Sequence, residues 1–177
     1  VAKALSSAYL PISATLVSGR VYEGVLAGSR RNGAFAHGVT YAGHPVCAAV
    51  ANEALKIYEE RDVVGHVRRV APRFLERLCA MGDHPLVGEA RGVGMIGAIE
   101  IVQDKASKKP FDAAAAMPTL VQDAALDEGL IVRAIRDTIA LCPPLIVDDA
   151  QVDELFDKLG RTLDRVLAQA RRNGLVG

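Results

Sequence analysis

The 177-residue sequence has no excess of either charge, since 21 lysines and arginines stand against 21 aspartates and glutamates. Proteins that bind nucleic acids or acidic membranes usually concentrate basic residues on one surface. Here the arginine pairs at 30–31, 68–69 and 171–172 are dispersed along the chain. The composition therefore argues against nucleic-acid and membrane partners.

Cysteine and histidine are scarce as well. The three cysteines form no CxxC pair, and the four histidines show no metal-ligand spacing with them, so neither a disulfide framework nor a metal site is predicted. No apolar run has the length of a transmembrane helix, and no basic start followed by an apolar segment indicates a signal peptide. We therefore expect a cytoplasmic protein. Because the sequence starts at Val1 without an initiator methionine, we also expect it to be the C-terminal part of a longer protein.

The first third of the chain combines a strand pattern with helix patterns. Residues 12–19, which follow Pro11 and are rich in apolar and β-branched types, predict a buried strand, and residues 21–26 predict a short helix. Residues 28–43 contain four glycines and little periodicity, which indicates a loop long enough to be functional. Pro45 then opens a helix, because proline loses no needed N–H at the first helical position.

The rest of the chain alternates helices with strands. Asp62 is placed to cap a helix whose apolar residues recur every three or four positions as far as Met81, and Pro72 should kink this helix or move its start. Another amphipathic helix follows Asp148, with Gln151 placed to complete a capping box. Between these helices the patterns predict strands 86–90 and 93–102 joined at Arg91-Gly92, a helix at 118–128, and strands 130–134 and 138–142.

These patterns describe two domains. Residues 1–60 have the α/β pattern expected at the end of a larger domain. Residues 61–177 have an α+β pattern, in which helices pack on a short sheet. The expected fold class is therefore mixed, with an α/β part followed by an α+β part.

Near the start of the chain, Lys3 has small residues on both sides and no other charge nearby. A lysine in a poorly hydrated pocket loses its proton more readily, and its neutral amine can then form an imine with a carbonyl. A lysine near a chain start is also commonly a solvated surface residue. On the local sequence alone, both interpretations stay open.

Three segments, however, occur in an informative order. They are AKALSSAYLPIS around Lys3, HGVTYAGHP at residues 37–45 and GLIVRAIRDTIALCPPL at residues 129–145. In this order and spacing they resemble the class III (ω-type) aminotransferases, which are pyridoxal 5'-phosphate (PLP) enzymes of fold type I. The resemblance covers essentially the whole chain, as the C-terminal part of such an enzyme. It implies that residues 1–60 end the large PLP-binding domain and that residues 61–177 form the small C-terminal domain.

The resemblance also implies a role for three residues. Lys3 would hold PLP as a Schiff base and later shuttle a proton. Thr40 would contact the phosphate of the PLP bound in the partner subunit, and its glycine-flanked position ahead of a helix suits an anion. Arg133 would grip the substrate carboxylate, and its apolar neighbours make an idle charge there costly. The nearby Arg136 is expected to be exposed.

The activity implied by the resemblance is transfer of an amino group from an amine or amino acid to a keto acid, by a ping-pong mechanism in a homodimer. In the family the other cofactor contacts lie upstream of the lysine, so we expect an incomplete site and no activity from this chain alone. The alternatives are a PLP decarboxylase or aminomutase on the same scaffold, or a non-catalytic dimerisation domain.

Overall fold

The structure is a computed structural model that describes residues 1–176. The chain divides into two compact units, the first spanning Val1–Asp62 and the second beginning at Val63. The first unit contains a single 3-10 turn, Lys3–Ser6, which we call the lysine turn, followed by helices α1 (Gly19–Asn32) and α2 (Pro45–Glu60). The lysine turn packs against α2.

Two predictions in the first unit are wrong. Residues 11–18 form no strand and are largely exposed, because no strand among the described residues 1–62 offers a hydrogen-bonding partner. Helix α1 is also longer than predicted, so the irregular loop begins only at Gly33, whose φ of +94° suits glycine at a helix end. Ser18 starts α1, since its hydroxyl accepts a hydrogen bond from the Val21 N–H at 3.4 Å. The predicted start of α2 at Pro45 is confirmed.

Helices α3 to α5 and four β-strands make up the described part of the second unit. Their bounds are α3 (Val63–Ala80), β1 (Val87–Val93), β2 (Ile96–Ile101), α4 (Met117–Asp127), β3 (Arg133–Ile135), β4 (Thr138–Leu141) and α5 (Asp149–Arg172), with 3-10 turns at Met81–Asp83 and Ala113–Ala115. The strands form one antiparallel sheet in the order β1-β2-β4-β3. Strand β3 therefore lies at one edge of the sheet and β1 at the other.

The turn between β1 and β2 lies three residues later than predicted. Strand β1 continues through Gly92 to Val93, and the chain reverses at Gly94-Met95, where Gly94 has a φ of +58°. Gly92 has a packing role instead. A Cβ there would lie 2.7 Å from Leu78 Cδ2 on α3, so the absence of a side chain lets the helix approach the strand.

The core of the second unit lies between one face of the sheet and the three helices. Phe74 of α3 and Phe156 of α5 are fully buried, with ring centroids 5.3 Å apart at 60°. Helix α3 runs without interruption through Pro72, so the predicted shift of its start does not occur. The capping box of α5 is confirmed: the Asp148 carboxylate accepts from the Gln151 N–H at 2.8 Å, and the Gln151 side-chain oxygen accepts from the Asp148 N–H at 3.1 Å.

Candidate active site

The lysine turn has a strained backbone. Lys3 has a φ of +53°, and Ser7 and Ala8, directly after the turn, have φ values of +49° and +62°. Side chains other than glycine enter this left-handed region at a cost of about 1–2 kcal/mol per residue. Hydrogen bonds within the segment offset part of that cost, including one from the Ala8 N–H to the Lys3 carbonyl oxygen at 3.3 Å. Strain of this kind is found at functional sites more often than elsewhere.

Two side-chain hydroxyls hold the lysine turn in place. Ser6 is 1% exposed, and its hydroxyl donates to the Leu10 carbonyl oxygen at 2.6 Å. Tyr58, in the last turn of α2, donates its hydroxyl proton to the Ala4 carbonyl oxygen at 2.8 Å. The same hydroxyl oxygen is hydrogen-bonded to Ser7 Oγ. The turn is thus tied both to the segment that follows it and to α2.

The amine of Lys3 is accessible. The residue is exposed, and its Nζ makes no hydrogen bond or ion pair with any of residues 1–176. An unpaired, accessible amine can reach a carbonyl compound. The poorly hydrated pocket considered for it from the sequence is not supplied by the described residues of this chain.

Thr40 lies in an exposed turn that leads into α2. The Ala42 N–H donates to the Val39 carbonyl oxygen at 2.9 Å, and Gly43 takes a φ of +68° before the helix begins. No side chain among the described residues caps the N-terminus of α2, where His44 is the residue before the helix. The free N–H groups of a helix's first turn attract anions. Thr40 therefore lies in the turn that precedes a helix N-terminus suited to a negatively charged group.

Arg133 begins the short edge strand β3 and faces away from the helices. It pairs with Ala140 on β4, whereas its neighbour Ala134 pairs with the buried Ile139. The argument that apolar neighbours make an idle charge costly is wrong, because Ile131 and Ile135 are themselves 87% and 47% exposed. Alternation along the strand turns every second residue outward, whatever its type.

The guanidinium of Arg133 is also free of partners, since it makes no ion pair or hydrogen bond within residues 1–176. Arg136 is exposed, which confirms the expectation for it. An open groove runs along this side of the sheet, and its lining includes Arg136 but not Arg133.

The side of the sheet that carries Arg133 is here called the open face, because the open groove runs along it. Pairing across the sheet aligns Arg133, Ala140, Ala98 and Arg91 in one row. Arg91 is not free, because it lies 3.3 Å from Glu89 and 3.8 Å from Glu100, two carboxylates that face each other on β1 and β2. Of the arginines at the two ends of the row, only Arg133 is available for a ligand.

Sequence reasoning did not identify Tyr58. Its hydroxyl contacts lie 51 and 54 residues away along the chain, so no local pattern reports them.

The three site residues predicted from the sequence are divided between the two units. Lys3 and Thr40 are in the first unit, and Arg133 is in the second. No hydrogen bond joins Lys3 to Thr40 among the described residues.

Other structural features bear on the expected class of protein. Within residues 1–176 no helix combines the length and the apolar composition needed to cross a membrane. The same residues contain no cluster of three or more histidine, cysteine, aspartate or glutamate side chains arranged to hold a metal ion.

Comparison with known proteins identifies the family. A model of the family described as "Aminotransferase class-III" matches residues 1–163. The curated protein "Probable gamma-aminobutyrate transaminase 3, mitochondrial" from Oryza sativa subsp. indica is 45% identical over 163 residues, which are 92% of this chain and 32% of the relative. "Gamma aminobutyrate transaminase 1, mitochondrial" from Solanum lycopersicum is 43% identical over 162 residues, again 92% of this chain and 32% of the relative.

Solved structures give the same result. One described as "Transaminase with L-ala" shares 45% identity at a TM-score of 0.90, with 95% of this chain and 40% of that chain covered. Another, described as "PLP-bound aminotransferase mutant crystal structure from Vibrio fluvialis", shares 38% identity at a TM-score of 0.90, with 95% of this chain and 37% of that chain covered. The predicted fold class, part of a PLP-dependent transaminase with mixed α and β structure, is confirmed.

The chain spans about a third of the length of the curated relatives it matches. Within that third the match is nearly complete, because it extends over 163 of the 177 residues and includes Lys3, Thr40 and Arg133. The chain belongs to the class-III aminotransferase family.

Proposed function

We propose that the protein carrying this chain is a PLP-dependent aminotransferase that moves an amino group from an amine or amino acid to a keto acid by a ping-pong mechanism. The observation that carries the proposal is the single uninterrupted family match, which contains Lys3, Thr40 and Arg133 together. The rice and tomato relatives are named as γ-aminobutyrate transaminases, and one structural neighbour is described as PLP-bound. Those names favour the aminotransferase reaction over a decarboxylase or aminomutase reaction on the same scaffold.

The described residues fit PLP at Lys3. The amine is exposed and unpaired, and it projects from a turn that two hydroxyls hold in a strained conformation. When bound, PLP supplies an electron sink that stabilises a carbanion beside the substrate nitrogen. Lys3 Nζ would hold the cofactor covalently and, once displaced by the substrate, would carry the proton that leaves the substrate Cα.

Thr40 fits the cofactor phosphate. Its hydroxyl has no hydrogen-bond partner among residues 1–176 and can donate to a phosphate oxygen, next to a helix N-terminus that no described side chain caps. We propose that it serves the cofactor of the second subunit in a homodimer. The lack of any hydrogen bond between Thr40 and Lys3 of the same chain is compatible with that arrangement.

Arg133 fits the substrate carboxylate. A guanidinium binds a planar carboxylate through two parallel hydrogen bonds, and this one has no internal ion pair to break among the described residues. The alanines that follow it across the open face, Ala140 and Ala98, leave room above the sheet. We propose that a donor carrying a carboxylate remote from its amine, such as γ-aminobutyrate, is held here.

Borohydride trapping tests the role of Lys3. The full gene product is incubated with PLP, reduced with borohydride, digested and mapped for the cofactor-lysine adduct. We expect label on Lys3 and none on Lys56, an exposed lysine of α2 that pairs with Glu53 at 3.3 Å and serves as the control. Lys3→Ala should abolish labelling and amino transfer, and Lys56→Ala should change neither. Label confined to a different lysine would refute the proposal.

The reaction type needs a separate measurement. With γ-aminobutyrate and a keto acid as the substrate pair, amination of the keto acid should accompany loss of the donor, without release of carbon dioxide.

Because the chain spans about a third of its relatives' length, we expect the 177 residues by themselves to bind PLP weakly and not to transfer amino groups. Transfer by the 177 residues at the rate of the full gene product would contradict that expectation.

The cytoplasmic location stays a prediction, and the rice and tomato relatives are named mitochondrial.

A further inference from the structure

The lysine turn needs a restraint from outside itself. Positive φ values at Lys3, Ser7 and Ala8 place three non-glycine residues in a disfavoured region within six positions. Such conformations persist where the surrounding structure over-determines them. The turn's own backbone hydrogen bonds, at 3.2–3.3 Å from the Ser7 and Ala8 N–H groups, are long. An unrestrained turn would leave the Lys3 backbone, from which the amine-bearing side chain extends, without a fixed position.

Tyr58 supplies that restraint from a different element. Its side chain is half-buried and lies on the same helical stripe as the buried Ala51 and Ala54, and α2 packs against the lysine turn. The hydroxyl donates to the Ala4 carbonyl oxygen at 2.8 Å, one residue after the lysine. Its single proton is then committed, so the Ser7 hydroxyl donates to the tyrosine oxygen.

These two contacts clamp the turn at both of its ends. Ala4 follows Lys3 directly, and Ser7 is the first residue after the turn. A rigid aromatic side chain on an α-helix therefore fixes the backbone on which the lysine stands. Ser6 restrains the turn only against the adjacent Leu10, so it does not tie the turn to another element.

We propose that Tyr58 is a positioning residue that fixes the backbone carrying Lys3, so that the lysine side chain starts from one defined position when it reaches for the cofactor. The inference rests on the proposed role of Lys3 as the lysine that binds PLP. It predicts that the tyrosine hydroxyl, rather than the ring, controls how quickly Lys3 forms its covalent link.

The test replaces the hydroxyl and keeps the ring. In the full gene product, Tyr58→Phe should slow formation of the borohydride-trapped adduct on Lys3 by about 2- to 12-fold, the range expected for one neutral hydrogen bond. The kcat for amino transfer should fall by a similar factor, while the KM for the amino donor should stay unchanged, because no substrate contact is altered. Ser7→Ala, which leaves the bond to Ala4 intact, should give a smaller decrease.

A matched control separates positioning from general loss of a tyrosine hydroxyl. Tyr22 on α1 is exposed and its hydroxyl makes no hydrogen bond among residues 1–176, so Tyr22→Phe should leave the trapping rate unchanged. The thermal unfolding midpoint is measured for every variant. If Tyr58→Phe fails to fold, Ser7→Ala decides the question, since it removes only one of the two contacts.

The outcomes distinguish this inference from the proposed function. If the unaltered protein carries no adduct on Lys3, the proposed function fails, and the inference fails with it. If Lys3 is labelled in the unaltered protein but Tyr58→Phe and Ser7→Ala are labelled at the same rate, only the positioning role of Tyr58 is overturned. A decrease in kcat together with an equal rise in KM for Tyr58→Phe would also overturn it, because that pattern indicates a disturbed substrate site.

Discussion

The proposed grip of Arg133 on a substrate carboxylate can be tested by one substitution with two donors. Arg133→Ala removes a guanidinium that has no ion pair among residues 1–176, so the free energy of unfolding should change by less than about 0.5 kcal/mol. The lost contact with a carboxylate is a charge-assisted pair worth about 1.5–3 kcal/mol. This value corresponds to a decrease in kcat/KM of about 10- to 150-fold. The decrease should appear with γ-aminobutyrate and be absent with a simple alkylamine.

The assay measures kcat/KM for both donors in the unaltered protein, in Arg133→Ala and in Arg136→Ala. Arg136 is an exposed arginine three residues further along the chain, with a positive φ of 54° and a place in the groove lining, so it controls for loss of a nearby positive charge. Arg136→Ala should change kcat/KM only slightly, and by the same factor for both donors. Equal losses for both donors in Arg133→Ala would remove Arg133 from the carboxylate role. A large selective loss in Arg136→Ala would transfer the role to that residue.

The remaining predictions concern stability and assembly. Gly92→Ala should lower the free energy of unfolding by about 1–3 kcal/mol, because the new Cβ would lie 2.7 Å from a backbone oxygen of β2 and from a leucine of α3. Gly160→Ala, on an open part of α5, should raise it by about 0.5–1 kcal/mol in the same chemical-denaturation assay. If Thr40 of one subunit serves the cofactor of the other, as proposed, mixed Lys3→Ala and Thr40→Ala subunits should regain about a quarter of the unaltered activity in a donor-depletion assay, because half of the randomly paired dimers would have one intact site of two. Burial lowers the pKa of His84, so the stability that its neutral form contributes is present above the unfolded pKa and is lost as pH falls through the folded pKa. When the pH is lowered from about 7 to about 5, the thermal unfolding midpoint should therefore fall more for the unaltered protein than for His84→Asn.

Each of these predictions has an outcome that contradicts it. If Gly92→Ala and Gly160→Ala changed the free energy of unfolding equally, the space around each glycine would not be what determines the cost of adding a Cβ. Failure of the mixed subunits to recover activity, with each variant inactive alone, would place Thr40 at the cofactor of its own subunit. A pH dependence of unfolding that His84→Asn leaves intact would assign that dependence to other groups.

Several features could be predicted from local sequence because neighbouring residues determine them. The capping box of α5 needs only Asp148 and Gln151, three positions apart, and the structure shows both of its hydrogen bonds. Pro45 opens α2 for a similarly local reason, since its missing N–H and restricted φ suit the first helical position.

Other features depend on partners distant in sequence, and there the local patterns misled. The β-branched run at residues 12–19 has strand propensity but no adjacent strand in the described first unit, and propensity alone does not form a ladder. Gly92 suggested a turn, whereas its role is to admit Leu78 of α3 against the strand. Arg133 has apolar neighbours in sequence, yet Ile131 and Ile135, two positions away on either side, share its exposed face because side chains alternate along a strand.

The sequence by itself determined the chemistry on offer, namely an amine at Lys3, a hydroxyl at Thr40 and a guanidinium at Arg133, together with the family to which their order belongs. Only the tertiary structure decided how that chemistry is presented. It leaves the Lys3 amine and the Arg133 guanidinium accessible and free of partners among residues 1–176. It also brings the Tyr58 hydroxyl onto the lysine turn from 54 residues beyond Ala4. Side-chain hydrogen bonds across such separations depend on how α2 packs, and the helical period indicates which side of α2 is buried but not which distant segment that side contacts.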